Sequence, residues 1–353
     1  MGKKEKIIVG ISIGDLNGIG SEIILKSFED ARMLDFCTPV IFGSAKLIST
    51  VKKELNMDVP FHGIDHVKEV VHNKINVLNV WKDSVEIQFG KETRLAGEYA
   101  IRSLKAAVKA LKEDGVDVLV TAPINKSNIQ SKTFNFPGHT DYLAKELNGD
   151  SLMLMVSGKL RIGLLTDHLP VKDVASAITP SLIEKKITTV HTSLIKDFGI
   201  IKPKIAVLGI NPHTGDNGVI GKEDDEVLRP TLQKIREKGM LVFGPYAADS
   251  FFGTQNHQNF DAIIASYHDQ GLIPFKTLAF GQGVNYTAGL DKIRTSPDHG
   301  TAYEVAGKNQ ANEASFKEAV FAAIAIYKKR NEYQKYTEKP LKVSRKKASF
   351  KKK

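Results

Sequence analysis

Three apolar runs in this chain each end in a polar loop that carries a histidine: Arg161–His168 (RIGLLTDH), Lys204–His213 (KIAVLGINPH) and Phe260–Gln270 (FDAIIASYHDQ). Each run is too short and too uniformly apolar for an amphipathic helix and reads as a buried parallel strand. In open α/β sheets, ligands gather beyond the carboxyl ends of the strands. His168, His213 and His268 are delivered there, flanked by Asp167, Asn211 and Asp269. Three imidazoles suit a catalytic divalent-metal site with open coordination positions. A single strand-end histidine is more often a hydrogen-bonded structural residue, and the non-local spacing lacks the specificity of H-E-x-x-H. Three such strand ends favour the metal. His62, His66, His72, His191 and His257 have no convergent partners and are assigned no role.

Anion chemistry is the second theme. The segment from Lys276 to Thr301 is dense in polar groups and reads as a long, loop-rich functional stretch. Its Lys276 and Arg294 supply fixed positive charge suited to a phosphorylated substrate. Asp298-His-Gly-Thr-Ala302 is expected to lead into a helix at Ala302–Ala306 and to offer backbone N–H groups to a polar ligand. Pro137-Gly-His-Thr140 opens another helix, placing His139 and Thr140 near its positive end; Thr140 is equally readable as an ordinary N-cap. Thr121-Ala-Pro-Ile-Asn-Lys126 brings Asn125 and Lys126 to a strand end. Gly14-Asp-Leu-Asn-Gly-Ile-Gly20 is either an anion pocket or a tight turn needing glycine dihedrals, since it matches neither G-x-G-x-x-G nor a P-loop.

Repeated strand and helix patterns must position these groups. Strands are expected at Lys6–Ile13, Thr38–Phe42, Val116–Val120, Met153–Val156, Arg161–Thr166, Lys204–Gly209 and Ala262–Ser266. Helices are expected at Ser21–Ala31, Ala45–Leu55, Thr93–Glu113, Thr140–Leu147, Thr179–Phe198, Glu223–Lys238 and Ala311–Lys329. Such βα repetition implies an α/β fold with a parallel sheet covered on both faces. The chain has 353 residues, ordinary apolar and charged content, and a single cysteine, Cys37, which excludes an intrachain disulfide. No apolar stretch reaches membrane-span length and no signal peptide is visible, so a cytoplasmic protein with no membrane association is expected. The net charge of +10 is misleading, because eight uncompensated lysines and arginines follow Glu338 and leave the body near +2. A disordered, solvated tail is favoured over a nucleic-acid-binding arm.

Eight motifs in order resemble one family. They are G-D-x-x-G-I-G-x-E (14–22), T-A-P-I-N-K (121–126), P-G-H-T (137–140), T-D-H (166–168), N-P-H-x-G (211–215), Y-H-D-Q-G (267–271), V-N-x-T (284–287) and I-R-T-S-x-D-H-G-T-A (293–302). Together they resemble the 4-hydroxythreonine-4-phosphate dehydrogenase family of vitamin B6 biosynthesis, over about residues 7 to 325. The resemblance implies a fold like the isocitrate and isopropylmalate dehydrogenases: two α/β/α subdomains with a largely parallel sheet and the active site in the cleft between them. The expected division is 1–135 plus 300–337, then 136–299, then the tail 338–353. The resemblance also implies His168, His213 and His268 as ligands of one divalent ion (Zn, Mg, Co or Mn) at a homodimer interface with shared active sites. His139, Thr140, Lys276, Asn285 and Arg294 would contact a small phosphorylated substrate. Asp298, His299, Gly300, Thr301 and Ala302 would contact NAD, with NADP as the alternative.

The implied reaction oxidises 4-phosphohydroxy-L-threonine at C3 and decarboxylates the product to 3-amino-2-oxopropyl phosphate. Asp249 and Asp269 are candidates for the proton acceptor, from position only. Leu16-Asn17, Ser21 and Asp291-Lys292 depart from the family pattern and bear on substrate preference. The competing readings are a paralogous dehydrogenase of 4-phosphoerythronate or 4-phosphothreonate, and a metal-dependent hydrolase, since three histidines also activate water.

Overall fold

In the computed structural model, residues 6–131, 134–136 and 138–338 are described. The basic tail from Lys339 onward, and Pro137 of the P-G-H-T motif, lie outside them. Twelve strands form among these residues: β1 (Ile8–Ser12), β2 (Thr38–Gly43), β3 (His62–Ile64), β4 (Asn76–Asn79), β5 (Val118–Thr121), β6 (Gly149–Ser157), β7 (Leu160–Leu164), β8 (Lys204–Leu208), β9 (Leu241–Tyr246), β10 (Ala262–Ala265), β11 (Val284–Leu290) and β12 (Arg294–Pro297). They join in one mixed, mostly parallel sheet, ordered β3-β4-β2-β1-β5-β12-β11-β6-β7-β10-β8-β9. The α/β class and the parallel pairing of β7, β10 and β8 match the sequence expectation.

The middle of the sheet does not. β12–β11, β11–β6 and β6–β7 are antiparallel. Consequently the outer strands on the two sides run in opposite directions. The loop-rich reading of 276–301 is corrected at the same place, because this stretch holds the end of the helix His268–Ala279 and both β11 and β12. β11 does alternate apolar and polar positions, and the density of polar residues around it outweighed that pattern in the sequence. Asn285 and Thr287 project from one face, while Val284, Tyr286 and Ala288 join the apolar core on the other. The helix expected at Ala302–Ala306 does not form. The chain turns there, with Ala302 in the left-handed region at φ 44°.

Register aligns one row of side chains across the centre. Thr295 pairs with Val120, Asn285 with Ser296, and Met155 with Asn285. Successive side chains alternate faces. Thr121, Met153, Met155, Asn285, Thr287, Arg294 and Ser296 therefore share a face. Two separate apolar clusters flank this row on that face. One packs Leu104, Val108 and Leu111 of the helix Arg94–Lys112, with Tyr142 and Leu143 of the helix His139–Glu146, on Phe42 and Leu119. The other packs Leu272 and Phe275 of the helix His268–Ala279 on Met153, Met155, Ile162 and Leu164. Between the two, the sheet face is polar.

The opposite face carries one continuous apolar core, from Val9 through Leu154 and Tyr286 to Ile264. The helices Pro180–Lys196 and Ala314–Glu338 are locked onto it by a buried ionic network. Arg330 donates to Asp197 at 2.8 Å, to the Tyr286 hydroxyl at 3.0 Å, and to the carbonyls of Leu290 and Asp291. Asp197 also accepts from Ser193 and Tyr286. Most other ion pairs are solvent-exposed and contribute little. In this one every side-chain polar atom of Arg330, Asp197 and Tyr286 has a partner, and burial together with the Asp197 charge pushes the Tyr286 hydroxyl well above its ordinary range. No helix among the described residues is long and apolar enough to cross a membrane.

Breaking the network strands a buried carboxylate. Arg330→Met should therefore cost about 3–5 kcal/mol of unfolding free energy, read by chemical denaturation. A loss below ~1 kcal/mol would mean that the network is not structural.

Candidate active site

The polar row forms the floor of a cavity of about 300 Å³, at the small end of ligand-binding sites. Its walls are the loop 122–126 after β5, the start of the helix His139–Glu146, Asp167 and His168 after β7, His268 and Lys276 of the helix that follows β10, and the loop 297–300 after β12. The cavity thus collects chain segments far apart in sequence. It does so because β5 and β12 end at the same level of the sheet as the row, while the β6–β7 hairpin turns the strand that delivers His168 back beneath it.

Arg294 dominates the floor. It is 2% exposed, and its guanidinium donates to the hydroxyls of Thr121, at 3.0 and 2.6 Å, and Thr287, at 3.1 Å. No carboxylate pairs with it among the described residues. Burial lowers its pKa to about 9, the mark of a buried cation without a counter-ion. Beside it stands the N-terminus of the helix His139–Glu146, whose N-cap is Gly138 with no capping side chain. Thr140 is therefore not the cap, and its side chain lines the cavity instead. Uncapped N–H groups and a buried guanidinium together define an anion site.

Three buried side-chain atoms in this lining have no hydrogen-bond partner: His139 Nε2, Asn285 Oδ1 and His299 Nε2. Buried polar atoms are normally paired, so a cluster of unpaired ones in a cavity marks where a ligand supplies the partners. Desolvation, then the nearby charges of Arg294 and Lys126, hold His139 well below its ordinary pKa, so it is a neutral imidazole. His299 donates from Nδ1 to the Gly300 carbonyl at 3.1 Å, leaving Nε2 as an acceptor.

His168 and His268 meet across adjacent strand ends, with ring centroids 5.8 Å apart. Burial and the Lys126 charge lower the His168 pKa, which favours the neutral ligand form. Asp269 accepts from His268 Nδ1 at 2.7 Å, which orients the ring and frees Nε2. His213 is not brought to them. It sits exposed in the turn after β8, at φ 52°, outside the cavity lining. No group of three or more His, Cys, Asp or Glu side chains among the described residues is arranged to hold a metal ion. Asp249 and Asp269 both line a separate groove with Phe252, Ile273 and Leu278, not the cavity.

The substrate candidates His139, Thr140, Lys276, Asn285 and Arg294 all line the one cavity, as do Asp298, His299 and Gly300. Thr301 and Ala302 follow behind that wall. Lys126, which the sequence placed at a strand end suited to an anion, joins them, as do Thr121 and Ser296, to which the sequence assigned no role. The signal for Ser296 was the i, i+2 spacing from Arg294, hidden by the loop reading. The departures at Asp291-Lys292 fall in the turn at the far end of β11 from the cavity, where Lys292 bonds to Asp114. They do not touch a substrate bound there.

An α/β protein with an anion-binding cavity across the antiparallel centre of its sheet, fed by imidazoles from neighbouring strands, is an enzyme scaffold. Residues 35–323 match the family described as pyridoxal phosphate biosynthetic protein PdxA, and the chain belongs to that family. It is 47% identical to the 4-hydroxythreonine-4-phosphate dehydrogenase of Bacteroides thetaiotaomicron, over 93% of this chain and 91% of that protein. It is 36% identical to the D-threonate 4-phosphate dehydrogenase of Cupriavidus necator, over 89% and 95% of the two chains. The crystal structure of 4-hydroxythreonine-4-phosphate dehydrogenase from Klebsiella pneumoniae superposes with a TM-score of 0.80 at 31% identity, covering 93% of this chain and 99% of that one.

Two outcomes follow from the electrostatics. Arg294 is buried without a counter-ion, so Arg294→Met should leave the ligand-free protein as stable as the parent or more so. The same change should weaken phosphate binding at least roughly 30-fold. Calorimetry and thermal melts with and without inorganic phosphate measure both; a variant that binds phosphate normally would remove Arg294 from the anion site. His139 has a folded pKa below its unfolded value of 6.5. The unfolded chain therefore binds the extra proton first, and the contribution of this group, complete above pH 6.5, is lost as pH falls below it. His139→Gln should flatten the decline of stability between pH 6.5 and 5, and an unchanged slope would contradict the neutral imidazole.

Proposed function

We propose that this chain is an NAD-dependent, divalent-metal-dependent dehydrogenase. It oxidises 4-phosphohydroxy-L-threonine at C3, and the resulting β-keto acid loses CO2 to give 3-amino-2-oxopropyl phosphate. The observation that carries this reading is the buried, counter-ion-free Arg294 beside the uncapped helix start and the unpaired His139 Nε2. That set fits a phosphate ester. The family membership and the relatives' names support a dehydrogenase acting on 4-hydroxythreonine 4-phosphate.

In the proposed complex, Arg294, Thr140 and the helix N–H groups hold the phosphate. Neutral His139 contributes a hydrogen bond without adding positive charge to Arg294. Anchoring the phosphate away from C3 fixes the reacting carbon in place. Lys276 and Lys126 face the carboxylate end of the ligand, and the Asn285 Oδ1 acceptor meets a donor on it. Asp298 to Ala302 form the nicotinamide dinucleotide side. Water is displaced from a cavity just large enough for the small substrate, which strengthens each of these contacts.

His168 and His268 fit a divalent ion as two imidazoles facing one cavity, with Asp269 orienting the second. The third donor, His213, comes into reach only if a second copy of the chain completes the site, which is the shared homodimeric arrangement that we propose. When bound, the ion lowers the pKa of the substrate hydroxyl and polarises the carbonyl formed from it. We also propose that the chain divides as 1–135 plus 300–337 and 136–299, so that the cavity lies where the two units meet.

A second reading has a specific basis, since one relative is a D-threonate 4-phosphate dehydrogenase. An acid bearing hydroxyl in place of the amine would use the same phosphate anchor. Absorbance at 340 nm separates the two, with NAD+, a divalent metal and each phosphorylated acid in turn, with and without chelator. A chelator-sensitive rise with 4-phosphohydroxy-L-threonine is expected. A rise only with 4-phosphothreonate or 4-phosphoerythronate would transfer the chain to the second reading, and phosphate release without NAD+ would make it a hydrolase.

A further inference from the structure

The glycine-rich loop 14–20 is not an anion pocket: it is buried, and other backbone fills the space. A Cβ at Gly14 would lie 2.3 Å from the Pro123 carbonyl oxygen, and one at Gly18 would lie 2.9 Å from that of Thr301. The loop donates from Asp15 N to Pro123 O at 2.9 Å and from Ile19 N to Thr301 O at 3.0 Å. Its glycines serve the close approach of three chain segments, 14–20, 123–128 and 301–303.

At their junction sits Asp15, 0% exposed. Its Oδ1 accepts from Asn17 N at 2.9 Å. Its Oδ2 accepts from Asn128 Nδ2 at 2.7 Å and from the Tyr303 hydroxyl at 3.0 Å. Tyr303 also accepts from Asn125 Nδ2 at 3.2 Å. No lysine or arginine pairs with Asp15 among the described residues, so hydrogen bonds alone support this buried carboxylate. Burial holds the Tyr303 hydroxyl above its ordinary pKa, and it remains a donor. One carboxylate therefore ties together two walls of the cavity: Ile124 and Lys126 on one side, Asp298 to Gly300 on the other. Between the two fixed points Thr301 and Tyr303, Ala302 holds a left-handed conformation that has no glycine to relieve it.

We infer that Asp15, acting through the Tyr303 hydroxyl, is a positioning residue for the dinucleotide-binding loop 298–302. The inference rests on the proposed function, which places the dinucleotide there. The phosphate anchor is independent of this junction, because Arg294 is held by Thr121 and Thr287 on the sheet itself. Loss of the Tyr303 hydroxyl should therefore act on one ligand and spare the other.

Tyr303→Phe keeps the ring and removes a single oxygen; Asp15→Asn removes the charge. In the full-length enzyme, each should raise the KM for NAD+ and the Kd for NADH, measured by NADH fluorescence, about tenfold, the worth of a hydrogen bond to a charged group. The KM for the phosphorylated substrate, the Kd for inorganic phosphate and the melting temperature of Tyr303→Phe should stay close to the parent values. Equal weakening of both ligands, or a lower melting temperature with unchanged NADH affinity, would reduce the junction to a structural brace and overturn the inference. So would no change in any of them. A parent enzyme that binds no NADH would remove the proposed function and this inference together. NADH binding by the parent that neither variant alters would remove the inference alone.

Discussion

A guanidinium buried without a counter-ion is the constraint around which this molecule is arranged. Placing Arg294 on the face of a central strand incurs a desolvation penalty of several kcal/mol. Two threonine hydroxyls accept three of its hydrogen bonds but supply no negative charge. The surrounding sheet face departs from the usual apolar filling for the same reason. Between two ordinary apolar clusters it presents Thr121, Asn285, Thr287 and Ser296, and the helix above it begins without a cap. Each of these features is unfavourable for an empty protein and favourable for one that binds a phosphorylated ligand.

β11 links that site to the stability of the fold. On one face it carries Asn285 and Thr287 toward the cavity. On the other it carries Tyr286 into the Asp197–Arg330 network, which fastens the helices Pro180–Lys196 and Ala314–Glu338. The period of two along a strand lets adjacent residues serve opposite ends. A rigid ionic lock behind the sheet steadies the floor on which Asn285 and Arg294 must sit, since a site is only as well placed as the elements beneath it. The buried junction at Asp15 plays the corresponding part for the loops at the rim.

The histidines show how topology sorts residues of one type. β7, β10 and β8 are neighbours, and each is followed by an imidazole. His168 follows its strand directly and His268 opens the next helix, so both face the cavity. His213 lies further along, in a left-handed turn that carries it outward.

Much of this was legible in the residues themselves. Short uniformly apolar runs identified the buried strands, because a strand covered on both faces is apolar at every position and such runs are too short for a helix. A helix start pointed to His139 and Thr140, fixed charge in a polar stretch pointed to Lys276 and Arg294, and motif order identified the family and with it Asn285. Three things depended on the tertiary structure. The antiparallel centre came from pairing between distant segments, which no local pattern encodes. β11 and β12 passed for loops because the segment is dense in polar residues: β12 (Arg294–Pro297) has no apolar face, and the alternation of Val284, Tyr286 and Ala288 in β11 was outweighed by its polar surroundings. The separation of His213 and Asp249 from the cavity arose from where turns point after their strands end, a matter of a few backbone dihedrals that residue types alone leave open.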